Sequence, residues 1–349
     1  MTGTLPVDAF GNLDYRELIG WPVPRLLSLV AAGSQEEAEV IGRVLAMTPG
    51  AEHARAAIEA ALAGAGPPWL TAAQLAFAQP REVLLGLLAE AVIDETNAEV
   101  YACLLQEMVT RGIDLGETGE DCQRRLRALN HPLAALPLRL GSSEREFDLQ
   151  DYGIEGGGSY SADYLLTKAE KKVPLAAPSP QVVTRVTTSG QRERMTSAVR
   201  GWLERSNGRA EAEVFEFADP IGDTFGASTL AGLPLESLRG LEPDGLVFRP
   251  ATFDEVVTTL FCAAANGGAY SSARGGAYGR AALWASVSAL VGADPDEQVE
   301  QVAELARQLR WWRFQAVTPW FEQVIPEFGF AVLRVDERTL AVLAATDTD

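Results

Sequence analysis

The stretch FGFAVLRVDERTLAVLAATD, residues 328–347, decides how the C-terminal half of the chain is read. Two apolar runs, FGFAVLRV and LAVLAATD, flank Asp336–Arg338, a connection of hairpin length, and predict a pair of strands. Working back along the chain, EVFEF (213–217) and QVVTRVTT (181–188) also read as strands, because β-branched and aromatic residues alternate in them. Between these two, QRERMTSAVRGWLERS carries Met195, Val199, Trp202 and Leu203 on one stripe and reads as a helix. Thr252-Phe-Asp-Glu255 is a capping box that opens an apolar helix over 253–265. Asp294-Pro-Asp-Glu297 is expected to open the next helix, with Pro295 in its first position and Val299, Val302, Leu305 and Leu309 as its buried stripe. Residues 181–349 therefore read as an α+β domain closed by a hairpin.

The first part has a different period. From residue 22 to about 140 the pattern is one of successive short amphipathic helices, among them Pro24–Ala32, Gln35–Met47, Ala51–Ala63, Pro80–Ile93 and Asn97–Arg111. Breaks fall at Gly33-Ser34, Thr48-Pro49-Gly50 and Gly64–Pro68, where helices should stop. EVIGRVLA (39–46) echoes EVLLGLLA (82–89) at an offset of about 43 residues, the range of HEAT or armadillo repeats. A plain bundle explains the helices equally well. Residues 1–140 are thus expected to form an all-α array, HEAT/armadillo-like or bundled. Residues 141–180, Gly/Ser-rich and then Pro-rich (VPLAAPSP, 173–180), read as the linker.

Composition narrows the function. The 349 residues carry 29 basic and 48 acidic side chains, a net charge of −19, with 47% hydrophobic content. Such a field repels nucleic acid and anionic membrane surfaces, so neither is an expected partner. The best local basic patch, Lys168-Ala-Glu-Lys171-Lys172, is short and interrupted by acid. No basic-then-apolar leader opens the sequence, and no apolar run reaches the roughly 20 residues a membrane helix needs. Cys103, Cys122 and Cys262 lie far apart and read as reduced thiols of a cytoplasmic protein. The two histidines, His53 and His131, do not suffice for a Ser-His-Asp triad or a multi-His zinc site. No catalytic residue is assigned, and no cofactor is indicated.

Two constellations are candidate sites. GGAYSSARGGAYGR (267–280) repeats Gly-Gly-Ala-Tyr eight residues apart, and a relative, GGSY, stands at Gly157–Tyr160. Glycines let backbone amides approach an anion, so Tyr270, Arg274, Tyr278 and Arg280 are the candidate ligand-binding residues. The segments lack the Gly-Lys-Ser/Thr of a phosphate loop and the spacing of a dinucleotide loop. Close packing around the glycines is the structural alternative. The second constellation is Asp219 and Asp223, carboxylates at a strand end suited to a hard cation, although Asp-Pro and Gly-Asp are also ordinary turn residues. The aromatic group WWRFQAVTPWF (311–321) reads as core between a helix and a sheet, with Thr318-Pro319 as a helix start in a helix–loop–helix joint.

GGAYGRAALWASVSAL, WWRFQAVTPWFEQVIPEFGFAVLRV and RTLAVLAATDTD resemble a bacterial protein family defined by a domain of unknown function, most strongly over residues 265–349. The resemblance implies a bacterial cytoplasmic protein and brings no catalytic assignment. The leading expectation is a binding or interaction protein that uses the surface of its helical array, its partner another protein. A basic partner fits the charge. The alternative is a carboxylate-based enzyme, metal-dependent in one form, in which Asp219 and Asp223 work beside Tyr278 and Arg280 on a small anionic substrate.

Overall fold

A computed structural model of the protein describes residues 15–145, 172–175, 181–270, 273–321 and 326–347. Gly157–Tyr160, Lys168, Lys171 and most of the expected linker lie outside the described residues. The chain divides into two compact units, residues 1–140 with 275–277, and residues 141–274 with 278–349.

The first unit is built from α1 (Tyr15–Leu18), α2 (Val23–Ala32), α3 (Gln35–Met47), α4 (Ala51–Leu62), α5 (Pro68–Ala78), α6 (Arg81–Glu90), α7 (Ala98–Thr110) and α8 (Gly116–Ala128). Local chemistry sets their ends. Ser34 and Glu37 form a reciprocal capping box at the start of α3, and Gly50, at φ +140°, precedes α4. The helices stack in two layers. Helices α3, α5 and α7 follow one another in one layer, and α2, α4, α6 and α8 in the other. Each helix packs chiefly on those one or two places away in the chain.

Buried glutamines fasten loops of this unit. Gln79 donates to the carbonyls of Ala46 and Thr48 and accepts from Gly50 N–H. Gln123 donates to the carbonyls of Ala134 and Leu136. Successive helices of one layer begin about 28–35 residues apart, at Gln35, Pro68 and Ala98, and at Val23, Ala51, Arg81 and Gly116. The 43-residue echo therefore links α3 with α6, which lie in different layers. It reflects shared amphipathic composition rather than equivalent positions.

The second unit holds a six-stranded antiparallel sheet in the order β1-β2-β6-β5-β4-β3. Its strands are β1 (Val183–Arg185), β2 (Arg209–Phe217), β3 (Leu246–Ala251), β4 (Arg310–Ala316), β5 (Glu327–Leu333) and β6 (Thr339–Thr346). Its helices are α9 (Ser189–Met195), α10 (Arg200–Arg205), α11 (Ala227–Ala231), α12 (Phe253–Asn266), α13 (Gly275–Val291, of which Tyr278 onward belongs to this unit) and α14 (Val299–Gln308). The expected hairpin is β5–β6, with Leu333 opposite Leu340. At its turn, the Asp336 carboxylate accepts from Arg338 N–H, Thr339 N–H and Thr339 Oγ1.

Alternation assigns the two faces of the sheet. Trp312, Phe314, Ala331, Leu333, Leu340 and Val342 pack beneath Phe225, Leu230, Leu235 and Leu238 from the segment after β2. The opposite face is helical: Trp202 of α10 meets Phe328 edge-on, and Phe253 of α12 meets Trp311. The aromatic group at residues 311–321 is core between helix and sheet, as expected, but the helix–loop–helix reading is corrected. Trp311–Ala316 is a strand, and residues 317–321 are not helical. A run of bulky apolar residues matches a strand buried on both faces as well as a helix, and here the two-residue period wins. Asp294–Glu297 likewise forms a turn, Asp294 accepting from Asp296 and Glu297 N–H, and the helix begins only at Val299.

One ion cluster bears on stability. Glu255 of α12 receives paired hydrogen bonds from Arg249, at 2.8 and 2.5 Å, and one from the buried Arg313 at 3.1 Å. Burial pushes the Glu255 carboxyl up, but the hydrogen bonds and charges of Arg249 and Arg313 outweigh it and hold it below the usual range. A depressed carboxylate contributes stability that is present above its unfolded pKa and is lost as pH falls through the folded one. Urea titrations of wild type and Glu255→Gln should therefore differ most near neutrality and converge as the pH falls below the ordinary carboxylate range.

Candidate functional site

The Gly-Gly-Ala-Tyr turns are built around carboxylates of the chain itself. Helix α12 ends at Asn266, and Gly267 follows at φ +83°, a left-handed conformation suited to glycine. Trp202 Nε1 donates to Gly267 O at 2.9 Å. A Cβ on Gly268 would overlap the Asp347 carboxylate and lie 2.9 Å from Ser206 Cβ. Asp347 is fully buried; its Oδ2 accepts from Ala269 N–H at 2.5 Å and from Ser206 Oγ at 2.7 Å. Ser206 Oγ in turn accepts from Tyr270 N–H at 3.2 Å.

The second turn repeats the device. Gly275 has φ +77°, and Ala277 N–H donates at 2.9 Å to Oε1 of Glu107, a fully buried residue of α7 in the same unit. The other oxygen of Glu107 accepts from Arg111 at 2.6 Å. In each motif the amide of the third residue meets a buried carboxylate. These are anion-binding turns, and the anion each one holds is an aspartate or glutamate of this chain.

The fate of the four candidate ligand residues follows from this. Tyr270 is 62% exposed. Arg274 is exposed and lies over the ring of the half-buried Tyr278, 4.0 Å from its centroid. Arg280 is fully buried, its Nε 2.6 Å from Glu144 Oε1 and Nη2 3.0 Å from Glu144 Oε2. The same carboxylate accepts from Trp284 Nε1 at 2.7 Å and from Gly141 N–H at 2.7 Å. Arg280 thus has its charge met inside the protein, whereas Tyr270 and Arg274 are exposed and Tyr278 is half-buried. Gly279 serves packing: its Cβ would lie 2.8 Å from Ala265 Cβ, so α12 and α13 approach closely there.

Asp219 and Asp223 sit elsewhere. Both are exposed. Arg310 bridges Asp223 at 2.6 Å and Glu337 at 3.1 Å, and Ile221 N–H donates to Glu337 O. These contacts place the aspartates beside the β5–β6 turn, at the start of β6. Asp347 and Ala269 lie at its other end, roughly 23 Å away at about 3.3 Å per residue. Helix α13 runs between the same extremes. Arg334, before the turn, donates to the carbonyls of Ala289 and Leu290, nine and ten residues beyond Arg280. The structure does not bring the two aspartates together with Tyr278 and Arg280. Among the described residues, no three His, Cys, Asp or Glu side chains are grouped to hold a metal ion.

Among the other reactive groups, His131 has internal partners and the cysteines are buried. His131 Nδ1 accepts from Leu133 N–H at 3.3 Å, and its Nε2 lies 3.1 Å from Glu99 Oε2. All three cysteines are buried, and burial pushes the Cys122 thiol up to about 12. A disulfide-exchange reagent at pH 7.5 should consequently titrate none of the three thiols rapidly in the native protein and all of them in denaturant. Rapid native labelling of Cys122 would contradict that burial.

Sequence reasoning missed Glu107, Glu144 and Trp284. Glu144 carried a faint signal as the third residue after Gly141, the spacing of a capping glutamate. Glu107 carried none, because an acid on an amphipathic helix is expected to face water. No helix among the described residues is long and apolar enough to cross a membrane. In comparison with known proteins, residues 31–349 match the model of a family described as a family of unknown function (DUF6183). No curated protein and no solved structure matches.

Proposed function

The chain belongs to this family of unknown function, which lends it no activity, so we propose from the geometry that it is a binding protein. The helical array is its docking scaffold, and its partner is another protein. The observation that carries this reading is the two-layer stacking of α2–α8, in which helices pack on near neighbours in the chain. Stacks of this kind behave as helical repeats and expose one continuous surface along their length. The exposed Glu36 and Glu39 of α3 and Glu52 and Glu59 of α4 add to the net charge of −19, which favours a basic partner. A cytoplasmic location fits the reduced, buried cysteines.

A second reading is favoured by a separate observation. Arg274 stacked on Tyr278, with Tyr270 exposed nearby in sequence, combines residue types enriched in binding hot spots. These three residues would contact a ligand or a partner, while Arg280 holds the helix behind them.

Cross-linking and mass spectrometry on the full-length protein in cells tests the two readings together. The expected result is one recurrent protein partner with cross-links on α2–α8. Its affinity should fall as salt rises and fall further in Glu36→Lys/Glu39→Lys. The reading is overturned if no partner recurs and a phosphorylated metabolite raises the melting temperature of wild type but not of Arg274→Ala. At a hundred times its Kd such a ligand adds about 2.7 kcal/mol, a readable shift.

A further inference from the structure

No further inference is drawn: the strongest candidate, the cluster at the ends of β4, β5 and β6 in which the buried Gln315 Oε1 and Thr346 Oγ1 flank Glu327 without hydrogen-bond partners, carries nothing because nothing in the structure points to an ion or metabolite there.

Discussion

Replacing Arg280 by Met is expected to destabilise the second unit by about 3–5 kcal/mol, the usual cost of breaking a buried ion pair from one side. Both partners are shielded from water, Arg280 fully and Glu144 at 1% exposure. Without the guanidinium, the Glu144 carboxylate keeps only Trp284 Nε1 and Gly141 N–H among the four donors described above. It must then stay charged in a poor solvent or take up a proton. Changing Glu144 as well, to Leu, should recover part of the loss, because no unpaired charge remains. Recovery stays incomplete since Trp284 Nε1 is then orphaned, at about 1–3 kcal/mol. Denaturant unfolding followed by tryptophan fluorescence measures both variants against wild type. A loss below about 1 kcal/mol in Arg280→Met would mean that the pair is hydrated and that the burial is wrong.

Gly268→Ala should be the next most damaging change, at roughly 2–4 kcal/mol. The added methyl has nowhere to go, because the Asp347 carboxylate and Ser206 occupy its position. Either the loop 267–270 moves away, or Asp347 leaves Ala269 N–H and becomes a buried carboxylate with fewer donors. Gly267→Ala, strained at φ +83° and ψ −164°, should cost about 1–3 kcal/mol, because it meets a backbone preference rather than an atom. A methyl at Gly190, which would meet nothing within 4 Å, serves as the control in thermal unfolding. Equal stability of Gly268→Ala and the control would remove the steric account of the motif.

The repeated Gly-Gly-Ala-Tyr shows how far the sequence could be read. That glycines there admit an anion near the backbone was legible, since the chemistry is local. Which anion was not. Asp347 and Glu107 lie 78 and 170 residues from the amides they accept from, and no spacing rule reaches across such distances. The same limit applies to Arg280, whose partner Glu144 sits 136 residues away, in a stretch that reads as linker. Elements with a clear period were legible nearly to the residue, as with Gln35–Met47 and the hairpin that brackets Asp336. Two of the longer helices of the first unit escaped for opposite reasons. Pro68–Ala78 is apolar on almost every side, and Gly116–Ala128 is so polar that its buried stripe, Gly119, Cys122, Gln123 and Leu126 at helical spacing, offers only two apolar side chains. Residues 311–316 failed through ambiguity, because bulky residues facing a covered sheet on both sides imitate a buried helix.

The central claim is that both glycine turns are saturated by the protein's own carboxylates. Amide hydrogen exchange at Ala269 and Ala277 tests it most directly, measured in wild type, Asp347→Ala and Glu107→Gln. The predicted result is selective: Asp347→Ala releases Ala269 alone, Glu107→Gln speeds Ala277 alone, and millimolar inorganic phosphate changes neither rate in wild type. If Ala269 keeps its protection without Asp347, or phosphate slows exchange at either amide in wild type, the turns are open anion sites and the account is contradicted.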